Sequence, residues 1–239
     1  MQYLGGKSRI AKPIAEVIRR ERGSVRGLYV EPFLGAGSVA MQVAPEFRYA
    51  VLTDTSPDLV KLWRAVQRGW VPPTSLSEDE YRRLRDAPPS ALRGFAAFPC
   101  SFGGKFFGGY ARDPRGGRSF AETASRSMVR RGEVLRDALI MRADYRDVVT
   151  SVDLTDVVLY ADPPYAGTTA YGGVEPFDST AFWRVMRRCV AEGAVVLVSE
   201  YQAPDDWVPV WRKTVQGSLR RDNGHPDVTE VLFMHESTR

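Results

Sequence analysis

Short apolar runs alternate with longer amphipathic stretches along most of the chain, a pattern that predicts an α/β sheet protein. Leu28-Tyr29-Val30, Tyr49-Ala50-Val51-Leu52 and Val157-Val158-Leu159-Tyr160-Ala161 read as buried strands, Val195 to Val198 as a buried parallel strand and Val228 to Phe233 as a closing one. Pro13 begins a helix with Ile14, Val17 and Ile18 turned inward. Ser56 caps a second, which starts at Pro57, buries Leu59, Leu62, Trp63 and Val66, and ends at Gly69. Asp178 caps a third, with Phe182, Val185, Met186 and Val190 on one face and Gly193 as its stop. These stripes are core, not ligand sites. Between Trp70 and Arg131 the alternation lapses, apart from a capping box at Ser77-Glu78-Asp79-Glu80 that opens a short helix. The expected organisation is therefore a main domain over 1–69 and 132–239 with an insertion over 70–131. No internal repeat is visible.

Composition narrows the class. At 239 residues the chain can bury a full core as one domain with an insertion. Cys100 and Cys189 are too few for a disulfide framework or a four-cysteine zinc site, and His225 and His235 lack a ligand-spaced partner, so no metal is expected. No apolar run approaches ~18 residues and the first residues lack a signal-peptide core, which makes the cytoplasm the expected location, with no membrane insertion. A net charge of +4 and a pI near 9.1 are mildly basic, and their distribution is uneven. Residues 102–131 hold Lys105, Arg112, Arg115, Arg118, Arg126, Arg130 and Arg131 against Asp113 and Glu122, with six glycines interleaved among Phe102, Phe106, Phe107, Tyr110 and Phe120. Such a segment can follow a phosphate backbone while its aromatics anchor the loop or wedge at a gap left by an extruded base. Lys105, Tyr110, Arg112, Arg115, Arg118, Arg126 and Arg130 are the candidate nucleic-acid contacts. The alternative for Arg126, Arg130 and Arg131 is one solvated helix face. Arg220 and Arg221, before the Asn223-Gly224 turn signal, read as phosphate contacts or as a solvated hairpin tip.

Two motifs carry chemistry. The strand ending at Ala161 runs directly into Asp162-Pro163-Pro164-Tyr165, where the prolines stiffen the backbone and hold the Asp162 side chain and the Pro163 carbonyl facing one spot. Two convergent acceptors suit an NH2 group, and the Tyr165 ring beside them offers a surface for a planar base taken out of its helix. Upstream, Leu28-Tyr29-Val30 enters Glu31-Pro32-Phe33-Leu34-Gly35-Ala36-Gly37-Ser38-Val39-Ala40, which reads as strand, glycine turn and helix, with Gly35 and Gly37 allowing a ligand to approach the backbone. Asp54, after the next strand, is placed to accept the ribose hydroxyls of an adenosine-containing cofactor. NAD and S-adenosylmethionine both satisfy that description. Glu31-Pro32-Phe33 and the DPPY tetrapeptide favour the second, because DPPY has no role in hydride transfer. Pro99-Cys100 resembles the nucleophile dipeptide of cytosine carbon-5 methyltransferases, but no basic residue flanks the thiol to lower its pKa.

With these pieces in this order, nearly the whole chain resembles the Dam-type (class alpha, D12 family) DNA adenine-N6 methyltransferases. Tyr3-Leu4-Gly5-Gly6-Lys7 is similar to that family's N-terminal motif, Glu31 to Val39 to its cofactor loop, Asp54 to its ribose-binding acid, Asp144-Tyr145 to its cofactor-adenine contact and Asp162 to Tyr165 to its catalytic motif. Ser199-Glu200 and Thr229-Glu230-Val231-Leu232-Phe233 fall where the family has its later strands. Tyr3 stands where some relatives carry Trp.

The resemblance implies a Rossmann-like S-adenosylmethionine-dependent methyltransferase sheet with an inserted, mainly helical and loop target-recognition subdomain. It further implies S-adenosylmethionine held by Tyr3, Lys7, Glu31, Pro32, Phe33, Gly35, Gly37, Asp54, Asp144, Tyr145 and Asp162, and catalysis by Asp162, Pro163, Pro164 and Tyr165 on an adenine flipped from double-stranded DNA. No metal is implied, and the chain is expected to act as a monomer or weak dimer. Cytosine-N4 or RNA-adenine methylation, or a catalytically silent DNA-binding regulator of the same fold, remain as alternatives. The recognised base sequence stays open, as do a restriction-modification or phage setting and the order of loop 166–177 without DNA.

Overall fold

The computed structural model describes residues 1–113, 116–117, 119–165, 177–216 and 227–238. In chain order these form α1 (Ala11–Glu21), β1 (Leu28–Glu31), α2 (Ala40–Val43), β2 (Tyr49–Asp54), α3 (Pro57–Gln67), α4 (Glu78–Arg85), α5 (Ala91–Ala97), α6 (Phe120–Val134), β3 (Leu139–Arg142), α7 (Tyr145–Thr150), β4 (Val157–Ala161), α8 (Ser179–Ala191), β5 (Val195–Glu200), β6 (Trp207–Gln216) and β7 (Asp227–His235).

The strands make one seven-stranded sheet in the order β3-β2-β1-β4-β5-β7-β6. The first five are mutually parallel, with Val30 opposite Val51 on one side and Leu159 on the other, and Leu159 opposite Val196. β7 runs antiparallel to both β5 and β6, and the Pro209 region of β6 bulges, as proline on an edge strand does. This is a Rossmann-like α/β sheet, and its order reverses between β1 and β4, the place where open sheets of this kind bind ligands.

Alternation along each strand sends successive side chains to opposite faces and so builds two cores. Tyr29, Leu52, Val158, Tyr160, Leu197 and Leu232 face α1, α2, α3, α5 and α6, whereas Val30, Leu159, Ala161, Val196, Val198 and Phe233 face α7 and α8. The caps are those the sequence implies. Ser56 accepts from Leu59 N–H, Asp178 from Ala181 N–H, and Ser77 with Glu80 completes a reciprocal box.

Two features were not legible as regular elements. β3 is a four-residue edge strand whose Leu139 and Met141 point outward, so it lacks the buried apolar run that marks its neighbours. The stretch from Trp70 to Arg131, read as a lapse in pattern apart from the short helix at the Ser77 capping box, contains that helix as α4 and, beyond it, α5 and most of α6. Phe95, Phe98, Cys100 and Met128 from that stretch lie in the same core as Trp63 and Tyr29. Backbones approach closely there. A Cβ on Gly94 of α5 would lie 2.4 Å from the Asp58 carbonyl oxygen of α3, and one on Gly132 of α6 would lie 2.6 Å from that of Val66. Arg93 pairs with the buried Asp58, which also accepts Ser90 N–H at 3.0 Å, tying α5 to the start of α3. Arg131, grouped by sequence with a solvated face, turns inward instead. Its guanidinium donates to the Ala36 carbonyl at 2.6 Å, tying α6 to the turn after β1.

Candidate active site

The parallel strands deliver Glu31, Asp54, Asp162 and Glu200 to one edge of the sheet, because each lies at or just past the C-terminal end of its strand. Antiparallel β7 begins at that same edge, with Val231 opposite Glu200, and so adds Glu230.

The turn after β1 is braced from several sides. Leu34 N–H donates to the Thr53 carbonyl at 2.8 Å, and Gly37 N–H to that of Leu34 at 2.6 Å. Gly35 has φ +46° and Gly37 φ +60°, the left-handed region where a side chain is strained. The Tyr3 ring lies 3.0 Å from where a Gly35 Cβ would stand, and the Trp63 ring 2.9 Å from the corresponding point on Gly37. Trp63 Nε1–H donates to the Gly35 carbonyl at 3.0 Å. Asp54 accepts Gly35 N–H at 3.1 Å and Ser56 N–H at 2.9 Å; burial raises its pKa against the pull of those bonds. A carboxylate has further lone pairs, so both bonds leave Asp54 able to accept hydroxyls.

Glu31 is buried, accepts the Tyr29 hydroxyl at 2.6 Å and is bonded to Ala40 N–H. Burial pushes its carboxyl up to about 8, the hydrogen bonds oppose this, and the Asp162 charge adds to it. The folded chain therefore binds this proton more tightly than the unfolded chain. The contribution to stability is full below the ordinary value of 4.5 and is lost as pH rises to about 8. Glu31→Gln is expected to flatten this dependence: the drop in thermal midpoint between about pH 5 and about pH 8.5 shrinks relative to wild type. Equal drops in the two proteins would contradict the assignment.

On the other side of β1, Phe33, Tyr145, Phe177 and Phe182 form an aromatic group with centroids 5.5 to 6.1 Å apart. Asp144 caps α7, accepting Arg146 N–H at 2.9 Å, and pairs with the Arg146 guanidinium at 2.7 Å, which lowers its pKa.

At the end of β4, Asp162 and Tyr165 meet Lys7 rather than open space. Lys7 is buried, and its ammonium lies 2.8 Å from Asp162 Oδ1, 3.1 Å from the Gly5 carbonyl and 4.6 Å from the Tyr165 ring centroid. The Tyr165 hydroxyl donates to Glu230 Oε2 at 2.8 Å, and the Tyr201 ring stands perpendicular to that of Tyr165 at 4.4 Å. Burial raises the Asp162 pKa while Lys7 opposes the rise; the two carboxylates outweigh burial at Lys7, whose own pKa is raised. The family resemblance places Lys7 beside a cofactor and Glu230 only within a strand; the structure brings both to the end of β4. Nothing periodic in sequence announces a contact between residues 7, 162 and 230. The one available signal was a glutamate at the sheet edge where DPPY also ends.

The basic insertion is less uniform than its composition. Arg126 and Arg130 are exposed, Arg126 pairing with Glu122 at 3.1 Å, and Arg112 pairs with Glu78. Lys105 is half-buried. Tyr110 donates its hydroxyl to the Leu76 carbonyl at 2.6 Å and packs on Tyr81, so it anchors the loop. Phe102, 64% exposed, is the aromatic of this segment most open to solvent. Arg115, Arg118, the 166–176 part of the loop after DPPY, Arg220, Arg221 and Asn223-Gly224 lie outside the described residues. Cys100 is buried and its thiol is pushed up to about 12 by desolvation, which removes the thiolate that attack on a cytosine ring needs. Among the described residues no helix is long and apolar enough to cross a membrane.

The stretch from the N-terminal motif through the glycine turn to Asp54 is also where a family signature lies. Residues 3–87 match the model of the D12 class N6 adenine-specific DNA methyltransferases. The matched segment includes Tyr3, Lys7, Glu31, Gly35, Gly37 and Asp54 and ends before Asp162. No curated protein matches the chain in sequence. Solved structures match over most of its length at low identity. The Escherichia coli protein yhhF, named a candidate methyltransferase, is 10% identical with a TM-score of 0.41, covering 95% of this chain and 84% of its own. Precorrin-6y C5,15-methyltransferase from Geobacter metallireducens is 6% identical with a TM-score of 0.40, covering 93% and 87%. SMU.776, a candidate methyltransferase complexed with SAH, is 8% identical with a TM-score of 0.45, covering 96% of this chain and 50% of its own.

Proposed function

We propose that this chain is a Dam-type, site-specific DNA methyltransferase that transfers a methyl group from S-adenosylmethionine to the exocyclic N6 amine of an adenine flipped out of duplex DNA. The observation that carries this is the seating of a nitrogen cation, the Lys7 ammonium, between Asp162 and the face of Tyr165. A pocket that holds a positively charged nitrogen against a carboxylate and a ring is suited to an amine that gains positive charge as it is alkylated.

The residues present fit the cofactor. The Ser38 hydroxyl in the glycine turn is buried with no partner among the described residues, and Glu31 and Asp54 bracket the same turn. Glu31 would face the cofactor's ammonium, Asp54 its ribose hydroxyls, and Phe33 and Tyr145 its adenine. Tyr3, lying on Gly35, would close the near side, with Pro32 and Gly37 shaping the turn. S-adenosylmethionine, when bound, supplies a methyl group already activated on a sulfonium.

The protein's own work is then positioning. Asp162 and the Pro163 carbonyl accept hydrogen bonds from the N6 amine, drawing its lone pair out of conjugation, while Pro164 fixes the backbone and Tyr165 stacks the base. Asp162 stabilises the charge that develops on the nitrogen. Lys105, Arg112, Arg115, Arg118, Arg126 and Arg130 supply phosphate contacts that offset the unstacking cost of about a few kcal/mol.

The test is incubation with tritiated-methyl S-adenosylmethionine and unmethylated duplex DNA. Label in the duplex, falling steeply as salt rises, is expected. Tight cofactor binding with no label in DNA would refute the reading.

A further inference from the structure

The Lys7 ammonium occupies the carboxylate and ring face that the proposed function assigns to the substrate. The two compete for one carboxylate and one ring face. A second cation beside a nitrogen that is gaining positive charge opposes the reaction, so an amine arriving on Asp162 favours an ammonium held farther off. The Lys7 backbone is not free to carry it away. Its carbonyl accepts Ile10 N–H at 2.9 Å, Gly6 N–H bonds the Tyr3 carbonyl at 3.0 Å, and Leu4 N–H bonds that of Gly104 at 3.2 Å. Movement is left to the side chain, and a buried ammonium without an anion is costly. Asp162, Glu230, Tyr201 and the Gly5 carbonyl are the polar groups that face it. Of these, Glu230 is the second carboxylate, with Oε2 3.7 Å from Nζ and the Tyr165 hydroxyl already bound.

We propose that Glu230 is a positioning residue that takes over the Lys7 ammonium when Asp162 engages the substrate amine. A side-chain shift of about 1 Å brings Lys7 and Glu230 into hydrogen-bond range. The ammonium stays paired in both positions, and the same glutamate holds Tyr165 by its hydroxyl throughout. This rests on the amine-methylation reading and extends it to a residue outside DPPY.

Glu230→Gln keeps an oxygen to accept the Tyr165 hydroxyl and loses the charge that would hold Lys7. Its kcat is expected to fall about tenfold or more with the cofactor KM little changed, and Lys7→Met in the same chain is expected to restore much of that loss, since no ammonium is left to move. A merely structural glutamate would not be rescued in this way, so additive losses in the double variant would overturn the inference. Independently of turnover, NMR titration of the Lys7 ε-methylene is expected to move to lower pH in Glu230→Gln; an unmoved titration would also overturn it. A wild-type chain that transfers no methyl refutes the functional reading itself, whatever the titration shows. A wild-type chain that does transfer methyl, with an unmoved Lys7, refutes this inference alone.

Discussion

Asp162→Ala is expected to lower single-turnover methyl transfer by on the order of 10³-fold or more, while duplex DNA is still bound. Asp162 lies one residue past buried β4, at the point where the strand order reverses, and no other described side chain offers a carboxylate at 2.8 Å from the cation seated in the pocket. Glu230 stands farther off, at 3.7 Å, where it is placed to pair with Lys7 rather than to replace the lost oxygen. It does keep Lys7 compensated, which is why the variant should fold. Circular dichroism melting close to wild type alongside lost turnover is the expected combination; a turnover within about threefold of wild type would remove Asp162 from the mechanism.

Trp63→Ala is the second large effect, and it acts on stability and on the cofactor turn together. Trp63 is fully buried and fills the space against Gly37 while its indole N–H holds the Gly35 carbonyl. Truncation of such a side chain costs about 3–5 kcal/mol from lost packing and the cavity left behind. The orphaned Gly35 carbonyl adds to this. Urea unfolding should report a loss of that size. Trp63→Phe separates the two roles, since it keeps most of the volume and removes the donor: a stability loss clearly smaller than that of Trp63→Ala, with weaker S-adenosylmethionine binding by calorimetry, is expected. Native affinity in Trp63→Phe would show that the indole bond does not set the turn.

The elements that sequence made legible are those whose physics is local. A buried run such as Val157 to Ala161, a serine before a proline-led helix, and a glycine pair after a strand each declare themselves within a few residues, and the strands, caps and positive-φ turn follow. What was not legible depends on distant partners. The Lys7–Asp162 pair spans the chain, Glu230 reaches the pocket only because β7 runs antiparallel beside β5, and Arg131 turns inward because the Ala36 carbonyl is there to receive it. β3 escaped notice because an edge strand with outward Leu139 and Met141 has no apolar run to betray it. In the insertion, helices α5 and α6 are short on large apolar residues where glycines let them press against α3, which blurs the helical period.

Which nitrogen receives the methyl group separates adenine-N6 transfer from its alternatives. The most direct test is to digest duplex DNA methylated by the purified chain to nucleosides and identify the labelled one by chromatography and mass. The expected product is N6-methyladenine, confined to one short sequence and absent with Asp162→Ala. N4-methylcytosine or 5-methylcytosine as the labelled nucleoside, or label appearing in RNA and not in duplex DNA, would contradict it.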